Sequence, residues 1–187
     1  MRSTSLRLLG AAAAEFRLKM RRWDFTAAYL QGSLEEGEVV YCHMPPGYDV
    51  KGGDGASRVC KILKPCYGMS QAGRRWQRAL FPWIQEWNEG WLAQTYGDSC
   101  VFHCKREVST PMGKRMEWLI VGAYVDDLCI LYSHDDEHSL YHRFTTDLQK
   151  RWNVEDEGDV SDLLGIDISL EDGHVCLRVQ PGSWAAS

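Results

Sequence analysis

Apolar positions at helical spacing open the chain. Leu6, Leu9, Ala13 and Phe16 fall on one face of a helix capped near Ser3 or Ser5 and ending near Arg17. The pattern then turns to strands: a short one around Met20 to Phe25, a second from Val39 to Cys42 after the turn-like Glu35-Glu36-Gly37, and a third from Val59 to Leu63. Pro45-Pro46-Gly47 and a glycine-rich loop from Lys51 to Ser57 separate the last two. Helical spacing returns from Ala72 to Asn88, where Trp76, Leu80, Trp83, Ile84 and Trp87 recur at the right intervals. Pro82 predicts a kink there and Gly90 a stop. Ser99 to Cys104 and Glu117 to Tyr132 read as strands. Asp135 to Trp152 reads as a helix striped by Leu140, Phe144 and Leu148, and Ile166 to Leu170 with His174 to Val179 as a hairpin. This order predicts an α+β fold, an antiparallel sheet with helices packed on one face.

Composition sharpens the picture in a few places. A chain of 187 residues with 44% apolar content builds a core and is not globally disordered. Arg2 and Arg7 ahead of Leu8-Leu9-Gly10 and four alanines faintly suggest a leader, but Glu15, Arg17 and Lys19 follow at once and favour the amphipathic helix. No apolar run approaches the ~20 residues of a membrane span. Seven cysteines at irregular spacing, without a CxxC pair, read as reduced thiols in a reducing compartment such as the cytoplasm. A net charge of −5 argues mildly against a free-standing nucleic-acid binder. The average hides two opposite stretches: six basic residues and no acid from Arg58 to Arg78, and eight acids with no basic residue from Glu155 to Asp172. His134, His138 and His142 are spaced by four and would share a helix face, a weak zinc signal beside Asp135, Asp136 and Glu137.

The strongest chemical signal lies between Trp118 and Tyr132. Two apolar runs flank Asp126 and Asp127, which puts both carboxylates at the tip of a hairpin that has no glycine at its turn. Asp is a common turn residue, so the pair alone is ambiguous. Two adjacent carboxylates also repel each other unless a cation sits between them, and a hard ion such as Mg2+ prefers oxygen ligands. Asp24 adds a third carboxylate at the end of a short strand. If the strands neighbour each other, the three suit a two-metal site for phosphoryl displacement.

Taken together the motifs resemble copia-type retrotransposon reverse transcriptases. Tyr124-Val125-Asp126-Asp127 is similar to their YxDD box, and Asp24 to Leu30 to the first catalytic-aspartate motif, followed by Gln31 to Glu36. Met44-Pro45-Pro46-Gly47-Tyr48 resembles the PPGF/Y segment. Val59-Cys60-Lys61 with Tyr67 to Trp76 resembles VCKL…LYGLKQ…RxW, and Leu163 to Ile168 the late FLGI motif. The resemblance runs from about Ser5 to Val179, so residues 1–187 are read as one partial reverse transcriptase domain.

The resemblance implies a polymerase palm-type sheet and RNA-directed DNA synthesis with two Mg2+ ions, Mn2+ serving as a substitute. By it Asp24, Asp126 and Asp127 are catalytic and hold the metals together with the Phe25 carbonyl. Tyr29, Tyr67 and Gly68 meet the nucleotide. Tyr124, Arg74, Arg75, Leu164 and Gly165 meet primer or template. The implied partners are an RNA or DNA template with its primer, deoxynucleoside triphosphates, and the fingers, thumb and ribonuclease H segments of a longer polyprotein, with no membrane. Two departures stand out: Ser70 replaces a frequent Lys, and no Lys or Arg lies between Arg151 and Arg178. The rival expectation is a catalytically silent remnant that at most binds nucleic acid.

Overall fold

Strand β1 (Lys19–Phe25) alternates its faces, with Trp23 and Phe25 buried on one side and Met20, Arg22 and Asp24 on the other. It sits inside a six-stranded antiparallel sheet of order β4-β5-β6-β7-β1-β8. The other strands are β4 (Ala93–Gln94), β5 (Val101–Thr110), β6 (Gly113–Tyr124), β7 (Asp127–Tyr132) and β8 (Val154–Asp159). The computed structural model describes residues 1–48, 50–163, 165–171 and 174–179. It forms two compact units, Met1–Thr26 with Phe81–Ser187, and Ala27–Leu80.

In the first unit, one face of the sheet carries aromatic packing. α4 (Leu140–Arg151) places Tyr141 flat against Tyr132 at 3.8 Å between ring centroids, and Tyr141 Oη accepts from Trp23 Nε1 at 3.3 Å. Residues 81–90 of α3 (Ala72–Gly90) add Trp83 and Trp87, both against Phe144, and Phe81 against Phe102. The opposite face is covered by α1 (Ser3–Phe16) and a three-stranded sheet of β9 (Asp162–Leu163), β10 (Ile166–Glu171) and β11 (His174–Val179). There Leu6, Leu9 and Ala13 pack with Ile120, Cys129, Leu131, Leu163 and Ile168. Gly10 lets α1 approach β11, since a Cβ would come within 3.2 Å of Val175. The expected α+β antiparallel sheet with its helical layer is what forms, and α1 with β9–β11 closes the far side.

The second unit holds α2 (Ala28–Gln31), the antiparallel pair β2 (Val40–His43) and β3 (Val59–Ile62), and residues 72–80 of α3. Arg75 fastens it by reaching Glu35 and Glu38, each at 2.8 Å. Among the described residues no helix is long and apolar enough to cross a membrane.

Among the elements that differ from expectation are α4, α3 and β8. The helix predicted from Asp135 starts only at Leu140. Ser139 Oγ accepts from His142 N at 3.1 Å, and the buried Glu117 carboxylate accepts from Leu140 N at 2.7 Å. These bonds satisfy orphan donors of the first turn and fix the start. His134 and His138 therefore precede the helix, so the three histidines share no helical face. α3 keeps helical backbone through Pro82 and leaves it at Trp87 to Glu89. There Trp87 Nε1 donates to Asp147 at 3.2 Å and Arg143 donates to Asn88 at 3.4 Å. The acidic run after Glu155 forms β8, a strand the sequence pattern did not announce.

The predicted Ser cap of α1 is also replaced. No side chain caps the helix from Arg2. Instead Asp98 accepts from Arg2 N at 2.8 Å and Ser5 Oγ at 2.5 Å, and its second oxygen from Cys100 N at 2.9 Å. Partial burial opposes ionisation of Asp98, but these donors outweigh it and bring the carboxyl down to about 2. Its folded value is depressed, so its contribution is present above the ordinary Asp value of about 3.9 and is lost as pH falls toward about 2. Asp98→Ala is expected to lower unfolding free energy by about 1–2 kcal/mol at neutral pH. In denaturant titrations the difference from wild type shrinks across that acid window. A pH-independent difference would mean the carboxylate's charge is not what holds α1.

Candidate active site

The register of the sheet gathers three of the predicted side chains. Tyr124 of β6 pairs with Asp127 of β7, Asp127 pairs with Asp24 of β1, and Asp24 pairs with Glu155 of β8. Directly opposed residues in antiparallel strands share a face, so Tyr124, Asp127, Asp24 and Glu155 form a row across four strands. Asp126 lies outside the strands. Val125 and Asp126 are the two turn residues between β6 and β7, and the Phe25 N–H donates to the Asp126 carbonyl at 2.8 Å. This bond ties the turn to the end of β1. Val125 takes φ 51°, the left-handed region that a β-branched residue rarely adopts. The hairpin tip thus carries Asp126, while Asp127 is the first residue of β7.

Two further residues belong to this face, and sequence reading did not single them out. Arg22 lies two positions before Asp24, hence on the same side of β1. Its Nη2 lies 2.9 Å from Asp127 Oδ1 and its Nε lies 3.0 Å from Glu157 Oε2. Glu157 comes within reach because the β1–β8 register shifts between Arg22 and Trp23: Arg22 pairs with Gly158 and Trp23 with Asp156. The residue between them is a bulge, a device that re-aims a side chain. The spacing of Arg22 from Asp24 was a readable signal; the bulge was not.

The electrostatics follow from this crowding. Burial raises the Asp127 carboxyl above the ordinary range, and the charges of Asp24 and Glu157 push it further up, while Arg22 pulls it down. A site where carboxylates repel each other is one where a divalent cation lowers the energy. Asp24, Asp126 and Asp127 supply the hard oxygen donors that Mg2+ takes. The donor set fits such an ion in chemistry, although among the described residues no cluster of three His, Cys, Asp or Glu is already gathered in metal-binding geometry.

The other predicted residues are placed as follows. In the second unit the rings of Tyr29 and Tyr67 lie 4.5 Å apart, Tyr67 is exposed, and Gly68 takes φ 92°, which suits glycine. Arg74 is exposed, whereas Arg75 is mostly buried against Glu35 and Glu38. Gly165 enters β10 with φ 68°, and Leu164 lies outside the described residues. The coupling of Asp127 to Asp24 is testable by carboxyl NMR. Asp24→Asn removes one repelling charge and is expected to lower the titration midpoint of Asp127. An unmoved midpoint would show that the two carboxylates do not sense each other.

Comparison with known proteins shows the family of the chain. The family profile described as "Reverse transcriptase (RNA-dependent DNA polymerase)" matches residues 1–181. The chain is 29% identical over 171 residues to the "Retrovirus-related Pol polyprotein from transposon TNT 1-94" of Nicotiana tabacum, covering 91% of the chain and 12% of that polyprotein. It is 30% identical over 167 residues to each of the Pol polyproteins from transposons RE1 and RE2 of Arabidopsis thaliana, covering 89% of the chain and 10% of each relative. The chain therefore spans only a small part of the length of these relatives. No solved structure matches. With the profile match extending over nearly all of its length, the chain belongs to the reverse transcriptase (RNA-dependent DNA polymerase) family, in the copia-type retrotransposon branch.

Proposed function

We propose that the chain is the catalytic palm segment of an RNA-directed DNA polymerase that acts as one part of a longer polyprotein. In this reading Asp24, Asp126 and Asp127, with the Phe25 carbonyl, hold two Mg2+ ions, and Mn2+ can replace them. The observation that carries the reading is the direct opposition of Asp24 and Asp127 on one sheet face, with Asp126 in the turn tied to Phe25. Such an ion pair, when bound, stabilises the attacking and leaving oxygens as a primer 3′-hydroxyl displaces pyrophosphate from a deoxynucleoside triphosphate.

The chain's own residues supply position and charge. The β1–β7 register keeps two carboxylates on a common face, and the Phe25 N–H locates the third through its backbone. Tyr124 is 39% exposed at the end of the row, an aromatic surface suited to the primer terminus. Tyr29 and Tyr67 offer ring faces to the incoming nucleotide, with Tyr29 against a 2′-hydroxyl, and the left-handed Gly68 allows close backbone approach. Arg74 meets a phosphate, a contact that positions a strand without reading its sequence. Arg75 acts beside it by ordering the loop that carries Glu35 and Glu38. Leu164 and Gly165 belong to the primer side of this reading.

Primer extension on an RNA template, in Mg2+ and then Mn2+, tests the proposal. Asp126→Asn is expected to reduce extension by about 100-fold or more, the scale at which transition-state charge stabilisation is lost. Folded wild-type chain that extends nothing, alone or joined to its polyprotein neighbours, would replace the proposal with a silent, nucleic-acid-binding remnant. In the same assay Tyr29→Ala is expected to raise ribonucleotide incorporation relative to deoxyribonucleotide. An unchanged ratio would make Tyr29 a packing residue.

A further inference from the structure

The guanidinium of Arg22 reaches three carboxylates on three different elements. Nη2 is 2.9 Å from Asp127 Oδ1 on β7, Nε is 3.0 Å from Glu157 Oε2 in the bulge of β8, and Nη1 is 3.7 Å from Asp162 Oδ1 on β9. Nε also donates to Asp127 Oδ1 at 3.0 Å. The Arg22 side chain is 27% exposed and that of Asp127 20%, so the pair is less screened than a surface salt bridge. Arginine stays charged throughout the working pH range, and its planar fork suits two-pronged contact with a carboxylate.

A divalent ion on Asp127 would share the carboxylate whose Oδ1 Arg22 now holds, and it would sit beside a fixed positive charge. We infer that Arg22 is an internal cation that competes with the metal for Asp127 and so sets the affinity of the site for divalent ions. The inference rests on the reading of Asp24, Asp126 and Asp127 as metal carboxylates. Glu157 and Asp162 complete the device, because they remain as partners for Arg22 once Asp127 is given up. The guanidinium need not lose its counter-charges to leave the metal position. In the absence of an ion, the same contact offsets the repulsion between Asp127 and Asp24.

The test is divalent-ion binding by the full chain, with Mn2+ followed by the electron-spin-resonance signal of the free ion and Mg2+ by calorimetry. Arg22→Gln is expected to bind about three- to tenfold tighter than wild type, the range set by removal of one partly buried competing ion pair. Arg21→Gln is the control. It removes the same formal charge one residue away, from a side chain that pairs with Asp156 at 3.0 Å instead of Asp127, and is expected to leave affinity nearly unchanged. Asp24→Asn is expected to abolish binding in both the wild-type and Arg22→Gln backgrounds.

Equal or weaker binding by Arg22→Gln, with binding still lost in Asp24→Asn, would overturn the competition and make Arg22 a support for the site. A gain of the same size in Arg21→Gln would also overturn it, by reducing the effect to overall charge. Binding untouched by Asp24→Asn would sink the metal-carboxylate reading itself. A measurement on the wild-type chain covers the case in which Arg22→Gln does not fold: the Arg22 Nε–Hε resonance should shift as Mg2+ saturates the site. A resonance that stays in place through saturation would overturn the inference.

Discussion

The pairing of β1 with β7, residue against residue from Lys19–Tyr132 to Asp24–Asp127, fixes both the core and the chemistry. Side chains alternate along a strand, so a slip of one position would exchange the two faces. Trp23 and Phe25 would lose their seats against Tyr141 and Trp152, and Asp24 would turn away from Asp127. The aromatic layer beneath the sheet therefore holds the carboxylates in register above it. Trp23 lies on the opposite face of β1 from Asp24, yet its fit against α4 constrains where Asp24 can be.

Charge is organised by the same alternation. Arg21 and Arg22 are neighbours in sequence but turn to opposite faces, where Arg21 meets Asp156 and Arg22 meets Asp127 and Glu157. The acidic β8 is thus answered from both sides by a strand that carries its own counter-charges. The basic segment behaves likewise. Arg75 and Arg78 both pair with Glu35, and Arg58 pairs with Asp54, while Arg74, Lys61 and Lys64 are exposed. Segment charge overstates what remains for a polyanionic partner, because much of it closes on carboxylates within the same unit.

The hairpin bearing Asp126 and Asp127 was legible because two long apolar runs surround one acidic pair. The stripe of α1 and the tryptophan face of α3 were legible for a similar reason: burial imposes a period on the sequence. What was not legible depends on partners far along the chain. β8 has a single β-forming residue, Val154, and is a strand because β1 offers it an edge to pair with. The start of α4 depends on Glu117, and the cap of α1 on Asp98, residues 23 and 96 positions from the groups they serve. Arg22 reaches Asp127 across 105 positions. The type of chemistry was therefore readable from local pattern, while its electrostatic setting arises only when distant strands meet.

The turn at Val125 has a consequence for how such a site changes over generations. A β-branched residue held in the left-handed region costs on the order of 1–3 kcal/mol that glycine would not incur. Selection for heat resistance alone would favour glycine at this position, and with it a looser tip. Selection for catalysis would keep the stiff residue, because freedom at position 125 becomes wander at Asp126. Position 125 thus separates two pressures that elsewhere in the sheet act together: durability of the fold, and precision in where one carboxylate is held.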